Sequence, residues 1–478
     1  MEGKIIQAID IGTTKVAAIV ARITANDKLE ILGIGVSPSF GVIRADVKNI
    51  NQTIDAIQKA VSAAEKQSGI TFTEVYVGIA GSHVSSRQHR ATLMRKDFNE
   101  IISQKDIEQL KDDTSKLALP PGDMIIEILP QDYKVDNTDN IQNPIGMLGN
   151  TIHANMHVIT GSQTAVNTIK RCITTAGFKV KKVIMQPIAS AASVLSKGEM
   201  EAGVVLVDIG GGTTDVAIFV DGIIGHTAVI PFGGEIITED IKKGCRILKE
   251  TAESIKVQHG QTFPSDNQKN VVITIAGLRD WPAKEISMEM LVGIIQARME
   301  EILHEVINEI RMSGLESQLN CGIVLTGGGS QLKHLRQLTE YESGYKSKIG
   351  VPNEHLSTST VKNVDNPIFS TAIGLAIKGI EIERSEQELY EQEGTIVDNP
   401  KNVEKEKVDS EEKSGTLSND SKEVENQDIE DEDIDQKDRN SNEKGKGFFI
   451  NKLKEAKGKI ADWINSDPIT EFQDKNLK

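Results

Sequence analysis

Two stretches of this chain repeat one pattern. Ile5–Val20 reads IIQAIDIGTTKVAAIV and Val204–Val220 reads VVLVDIGGGTTDVAIFV. Each holds an apolar strand that ends in Asp and Ile, a turn of Gly and Thr, and a second apolar strand. A hairpin that returns ~200 residues later predicts two related halves, each built round its own sheet. The turns also carry chemistry. A phosphate chain needs backbone N–H groups in a tight concave turn, small residues that admit it, and hydroxyls beside it. Gly12, Thr13 and Thr14 supply these in the first turn, and Gly210, Gly211, Gly212, Thr213 and Thr214 in the second. Asp10 and Asp208 end their strands at the turns. There they are placed to hold Mg²⁺ through its waters, because Mg²⁺ takes oxygen ligands and keeps much of its hydration. Lys15 is placed to neutralise phosphate charge. Either turn alone reads equally well as a plain Gly-rich hairpin, but the pairing favours the phosphate reading.

A third cluster, Gly327, Gly328 and Gly329, follows the apolar strand Ile323–Thr326 and precedes the run Gln331–Leu338. A strand–Gly–helix junction lets a ligand approach the backbone. It is expected on the nucleoside side of the same pocket, although GGGS alone also fits an ordinary turn.

Elsewhere in residues 1–380, short apolar strands alternate with amphipathic runs, which is an α/β pattern. Asn51–Gln67 carries Ile54, Ile57, Val61 and Ala64 at helical spacing, and Glu74–Ala80 reads as a strand. Residues 83–160 change character. They begin rich in Arg and His, continue as a polar helix over Gln104–Leu119, and pass Pro120-Pro121-Gly122 into a β-rich stretch that includes Ile125–Leu129 and Thr151–Thr160. This reads as an inserted subdomain. A helix (Thr164–Ala176) and a strand (Lys181–Met185) then resume the earlier style. Further helices are predicted over Ile236–Leu248, Ala252–His259 and Met288–Met312.

Of the 478 residues, 54 are Lys or Arg and 70 are Asp or Glu, for a net charge of −16. Residues 381–444 hold 23 acidic and 9 basic residues, so −14 of that charge lies there and the body before it is nearly balanced. An acidic chain without clustered cations is a poor duplex binder, and no nucleic-acid partner is expected. Cys172, Cys245 and Cys321 have no metal-ligand spacing and read as buried thiols of a cytosolic protein. The first ten residues lack the apolar stretch of a secretion signal, and no segment reaches the ~18–20 apolar residues of a membrane span. Residues 381–444 are expected to be disordered, with a helical start left open, because they bury too little apolar surface to offset their entropy. As a coil they would span about 45 Å, and more under self-repulsion.

Apolar residues return after that segment. With Phe449 at zero on a wheel of ~100° per residue, Leu453, Ala456, Ile460, Trp463 and Ile464 fall within ~60° of it. Phe448 adjoins this stripe in sequence, Lys452, Lys457 and Lys459 flank it, and Lys454 lies beyond. This suits a helix lying in a membrane interface, with lysine stems along the apolar edge and ~1 kcal/mol of attraction per Lys near an anionic leaflet. The bland alternative is a helix that docks on the body or on a partner.

Five of these motifs together carry a resemblance. Asp10–Val16, Asp208–Val216 and Gly322–Leu332 resemble the first phosphate, second phosphate and adenosine motifs of the actin-like ATPase superfamily. That superfamily includes actin, the DnaK-type chaperones, MreB and the sugar kinases. Gln186–Ala191 (QPIASA) and Asn366–Gly374 (NPIFSTAIG) resemble its two connecting helices. Within it the chain most resembles the FtsA family of bacterial division proteins. Gly41–Val47 (GVIRADV) precedes a helix as in that family. Tyr76–Ser82 (YVGIAGS) opens the position where the family carries its subdomain 1C in place of actin's 1B. Ile294–Ile302 (IIQARMEEI), the acidic linker and the terminal amphipathic segment complete the likeness.

The resemblance implies an actin-like (ribonuclease-H-like) two-lobed α/β fold. Subdomain 1A would span 1–82 and 163–197, with 1C at 83–162. Subdomain 2A would span 198–233 and 321–380, with 2B at 234–320. A linker (381–444), a membrane-targeting helix (445–466) and a tail (467–478) would follow. It implies ATP and Mg as cofactors, with Asp10 and Asp208 organising Mg²⁺. Gly234, Glu253 and Lys256 would contact the nucleoside; otherwise Glu253 and Lys256 are an ordinary exposed helix pair. Gln186 matches the position that orients the attacking water, although the family hydrolyses ATP poorly. The implied partners are the C-terminal peptide of FtsZ at 2B, further copies of the chain, anionic inner-membrane lipid, and later division proteins through 1C. The implied location is the cytoplasmic face of the membrane at the septum. If copies assemble, avidity raises membrane attachment by ~10²–10⁴ over a single helix.

Three other classes fit the sequence less well. A sugar kinase has no use for the terminal helix, a DnaK-type chaperone needs a folded domain after the core, and a PilM-like pilus adaptor lacks this tail. No Ser/His/Asp, Cys/His or zinc pattern is recognisable by spacing. Trp281-Pro282 reads as a packed loop. His83, Arg87, His89 and Arg90 read as a basic patch, solvated or contacting a partner.

Overall fold

The expected repeat is present as two sheets with one plan. The computed structural model describes residues 3–395 apart from 27, 82, 97–98, 264–270, 278–281, 359–360 and 363. Residues 396–478 lie outside the described residues, as do the side chains of 388–395. The proposed membrane helix, most of the acidic segment and Trp281 therefore fall outside them as well.

In the first half, β1 (Ile5–Ile11), β2 (Lys15–Ile23) and β3 (Leu29–Pro38) form an antiparallel meander. A small hairpin, β4 (Val42–Ile43) and β5 (Asp46–Val47), leads into α1 (Ile50–Ser68), which precedes β6 (Glu74–Ile79). The inserted subdomain follows, with β7 (Ser85–Met94), α2 (Gln104–Ser115), β8 (Asp123–Val135), β9 (Thr138–Ile141) and β10 (Thr151–Ser162). The chain returns through α3 (Gln163–Thr175) to β11 (Lys179–Met185). The five-stranded sheet runs β11-β6-β1-β2-β3, with β6 and β11 added in parallel.

After α4 (Gln186–Val194) and α5 (Lys197–Ala202), the second half repeats this plan. β12 (Val204–Ile209), β13 (Thr214–Val220) and β14 (Ile223–Ile230) form the meander. A helical block follows: α6 (Gly234–Cys245), α7 (Lys249–His259), the hairpin β15 (Val272–Ile275) and β16 (Lys284–Ser287), and α8 (Met288–Ser313). β17 (Ile323–Thr326), α9 (Leu335–Ser343) and β18 (Ser347–Ile349) close the sheet in the order β14-β13-β12-β17-β18, and α10 (Ser370–Thr395) crosses back. Both sheets are covered on two faces, which is why β1, β2, β12 and β13 read as continuous apolar runs rather than alternating ones.

The insert has its own core. Ile152, Ala154, Met156 and Val158 point to one face of β10 and pack with Ile107 and Leu110 of α2. β8 is longer than the expected Ile125–Leu129. Pro130 sits at a register shift against β10, where a missing N–H costs no ladder bond. The helix α2 ends at Ser115, short of the expected Leu119.

The two connecting helices cross in close contact. A Cβ on Gly374 of α10 would lie 1.7 Å from the carbonyl oxygen of Ala189 in α4, so only glycine fits at this crossing. α10 also corrects a boundary, because it runs to Thr395, past the expected end of the fold at Ile380. The reason is Glu383, which belongs by composition to the acidic segment. Its side chain is buried, ion-paired with Lys4 and Lys181, and accepts a hydrogen bond from Tyr76 Oη at 3.0 Å. Among the described residues no helix is long and apolar enough to cross a membrane. All three cysteines are free; Cys172 and Cys245 are buried as expected, whereas Cys321 is half-buried.

Candidate functional site

The two phosphate-type turns close with the same bond. Gly12 N–H donates to the Lys15 carbonyl and Gly210 N–H to the Thr213 carbonyl, both at 2.9 Å. The turns face each other at contact distance. A Cβ on Gly211 would lie 2.3 Å from Thr14 Cγ2, and one on Gly212 would lie 2.3 Å from Thr13 Oγ1, so these glycines are required by the fit between the halves. The start of α6 is fastened to the second turn, with Gly234 N–H donating to Gly210 O at 2.9 Å and Glu235 N–H to Gly211 O at 2.7 Å. The third turn joins the same place. Gly327 has φ +81, and a Cβ there would lie 2.2 Å from Asp208 Oδ1.

These turns enclose a cleft of about 420 Å³. It is lined by Asp10, Gly12, Thr13, Thr14, Lys15, Gln186, Asp208, Gly210, Gly211, Gly212, Thr213, Gly234, Glu253, Lys256, Gly327, Gly328 and Gly329. Thr214 is the exception among the expected residues. It is fully buried off the lining and gives its hydroxyl proton to Phe232 O at 2.8 Å. Lys256 and Glu253 are more than a surface pair. Lys256 Nζ donates to Gly234 O at 2.9 Å and Thr238 Oγ1 at 2.8 Å, and lies 2.7 Å from Glu253 Oε2. Ile237, Val257, Leu332 and Ile368 add an apolar shelf beside them. A flat ring on that shelf and a charged tail between the turns match what the lining offers.

Charge is concentrated at the inner end. Asp10 Oδ1 accepts from Gln186 Nε2 at 2.9 Å. Burial pushes Asp10 up to about 6, and the Asp208 charge adds to this against the pull of Lys15 and Gln186. Burial also raises Asp208, opposed by the hydroxyls of Ser190 and Thr371 and by Lys15. Burial lowers Lys15, which bonds to the Ile368 carbonyl and lies 5.2 Å from the Phe369 ring centroid. Sequence reasoning missed a third acid, Asp215. It is buried, raised well above the usual carboxylate range by burial and by Asp208 and Asp10, and its Oδ1 has no hydrogen-bond partner. The signal was available, because GTTK in the first hairpin aligns with GTTD in the second, setting Asp215 at the position of Lys15.

Among the described residues no three acidic, imidazole or thiol side chains stand close enough to chelate a metal directly. A hydrated Mg²⁺ is the form that fits this donor set, since its waters bridge to carboxylates that do not reach the ion. The unpartnered oxygen of Asp215 is an acceptor for such a water.

The pH dependence of stability tests this electrostatic picture. The folded state holds the Asp10 proton more tightly than the unfolded state, so this group's stabilising contribution is full below its unfolded value of 3.8. It is lost as pH rises through about 6, a change of about 3 kcal/mol. Asp10→Asn removes the titration. Urea unfolding in EDTA should show the variant gaining about 2 kcal/mol relative to wild type between pH 4 and 6.5. A constant offset over that range would contradict the assignment.

His83 differs from the expected basic patch. Its side chain is half-buried 3.5 Å from Asp46 Oδ1, and this desolvation lowers its pKa, whereas Arg87 and Arg90 are exposed on β7.

The repeated five-stranded sheets, the crossing helices and the cleft between the turns define an actin-like protein. A structure titled PilM-PilN type IV pilus biogenesis complex matches with a TM-score of 0.55 at 15% identity, covering 78% of this chain and 98% of that one. MreB5 of Spiroplasma citri bound to ADP matches with a TM-score of 0.51 at 14% identity, covering 81% and 99%. Sequence comparison narrows the class. The family model "Cell division protein FtsA" matches residues 205–374, and "SHS2 domain inserted in FTSA" matches residues 81–160. Cell division protein FtsA of Pseudomonas aeruginosa is 37% identical over 379 residues, 79% of this chain and 90% of that protein. The Bacillus subtilis protein of the same description is 31% identical over 368 residues, 77% and 82%. The chain belongs to the FtsA family of cell division proteins.

Proposed function

We propose that this chain binds Mg-ATP in the cleft between its lobes and tethers the FtsZ ring to the cytoplasmic membrane at the division septum. The observation that carries the nucleotide reading is the convergence of three glycine turns, far apart in sequence, on one cleft with buried carboxylates. In this reading the N–H groups and hydroxyls of both turns hold phosphate, with Lys15 beside them. Asp10 and Asp208 hold waters of Mg²⁺, which supplies charge neutralisation for the phosphates. Gly234, Glu253, Lys256 and the third turn hold the nucleoside. The amide oxygen of Gln186, whose nitrogen is spent on Asp10, orients a water, and binding matters more than turnover.

Family membership supports the remaining parts. The helical block round α6–α8 docks the C-terminal peptide of FtsZ, the chain assembles with copies of itself, and the inserted subdomain recruits later division proteins. Phe448, Phe449, Leu453, Ile460, Trp463 and Ile464 enter the interface of an anionic leaflet, with Lys452, Lys457 and Lys459 at its phosphates. The test of the nucleotide site is an ATP titration of the full chain with and without Mg²⁺. Tight binding that EDTA weakens is expected, and no binding in either buffer would overturn the reading.

A further inference from the structure

Gln186 and Ser190 stand one helical turn apart on the same face of α4. Each holds a different carboxylate of the cleft. Gln186 Nε2 donates to Asp10 Oδ1 at 2.9 Å, and Ser190 Oγ donates to Asp208 Oδ2 at 2.6 Å. Asp10 belongs to the first half of the repeat and Asp208 to the second, so one turn of a rigid helix, ~5.4 Å of rise, spans both. A second hydroxyl reaches the same oxygen. Thr371, at the start of α10, donates to Asp208 Oδ2 at 3.1 Å, and its Oγ1 lies 3.0 Å from Ser190 Oγ. Ser190 is fully buried, and the other oxygen of Asp208 faces Gly327 of the third turn.

The two helices that bring these hydroxyls are locked together. Ser193 Oγ donates to the Ser370 carbonyl at 2.8 Å, and the Gly374–Ala189 crossing leaves no room for a side chain. The carboxylate of Asp208 is thus aimed by both connecting helices and not by its own strand alone. A carboxylate that binds a cation through water depends on its orientation, because partners of this kind are worth ~10–100-fold in metal affinity.

We infer that Ser190 and Thr371 are positioning residues for a divalent cation. They aim Asp208 at the cation's water shell, while α4, through Gln186 on Asp10, sets the spacing of the two carboxylates. This rests on the nucleotide reading. It adds that the connecting helices govern the contribution of the metal to binding, separately from the contacts to the nucleotide.

The test compares ATP affinity in EDTA and in excess MgCl₂ for the full-length wild type, Ser190→Ala, Thr371→Val and Thr371→Ser. A role confined to packing would weaken both affinities together. The inference predicts EDTA affinities within about twofold of wild type. It predicts a gain on adding Mg²⁺ about tenfold smaller for Ser190→Ala and Thr371→Val, and full recovery in Thr371→Ser, which keeps the hydroxyl. Thr371 lies at the edge of the cleft, so its pair of variants decides the matter even if Ser190→Ala does not fold. Wild-type magnesium dependence in Thr371→Val would overturn the inference and leave the nucleotide reading intact. A wild type that binds ATP equally well with and without Mg²⁺ would overturn the inference alone, and one that binds ATP in neither buffer would remove both.

Discussion

Asp208→Ala should weaken magnesium-dependent ATP binding by about a hundredfold, close to 3 kcal/mol. The carboxylate occupies a point where several parts of the fold meet. It ends β12, takes hydroxyl protons from Ser190 and Thr371, and lies against the third glycine turn. Its loss removes a cation's water acceptor and the group that the two connecting helices hold in common. The fold itself should survive. Removing one of three buried acids relieves the repulsion that raises Asp10 and Asp215, which offsets the two hydroxyls left without their acceptor. Calorimetric titration with Mg-ATP, paired with a thermal melt of the apo protein, separates the two effects. Lost binding with an unchanged or higher melting temperature is the expected pair. Full affinity would show that the metal site is misplaced.

Truncation after Lys444 should abolish co-sedimentation with anionic vesicles. Between Gly445 and Asn465 five lysines face two acids, for a net charge of +3, beside an apolar stripe that holds Phe449 and Trp463. In the proposed membrane helix each Lys would contribute ~1 kcal/mol near anionic lipid and the apolar stripe would add its own burial, so a single copy is expected to bind reversibly and to be weakened by salt. The body up to Ile380 carries a net charge of only −4, and the acidic segment that follows is repelled by the same surface, so neither replaces the helix. The truncated chain should still bind ATP, because every residue lining the cleft precedes α10 or lies in its first turns. Vesicle binding that survives truncation would sink the tether assignment.

Much of the site was legible because its signal is local. An Asp at the end of an apolar strand followed by a Gly-Thr turn is a short pattern, and its recurrence fixed the two-lobed plan before any long-range contact was known. What stayed hidden depends on contacts between distant residues. The alignment of Asp215 with Lys15 marks its position in sequence, but only the closing of the two hairpins on each other makes it a third acid of the cleft. Thr214 shared the motif with Thr213, but the alternation along β13 turns it away from the cleft. Glu383 counted as part of an acidic linker, whereas Lys4, Lys181 and Tyr76, all far off in sequence, make it a buried anchor of α10. Ser190 and Thr371 lie inside the two connecting-helix motifs, but nothing in those motifs marks their hydroxyls, which acquire meaning only when Asp208 meets them.

Hydrogen exchange on the full chain, with and without Mg-ATP, tests most directly whether three turns so far apart act as one site. Peptides covering Asp10–Lys15, Asp208–Thr214 and Gly327–Leu332 should gain protection together, and EDTA should remove most of that gain. Exchange unchanged in all three, or slowed in one turn alone, would contradict the account.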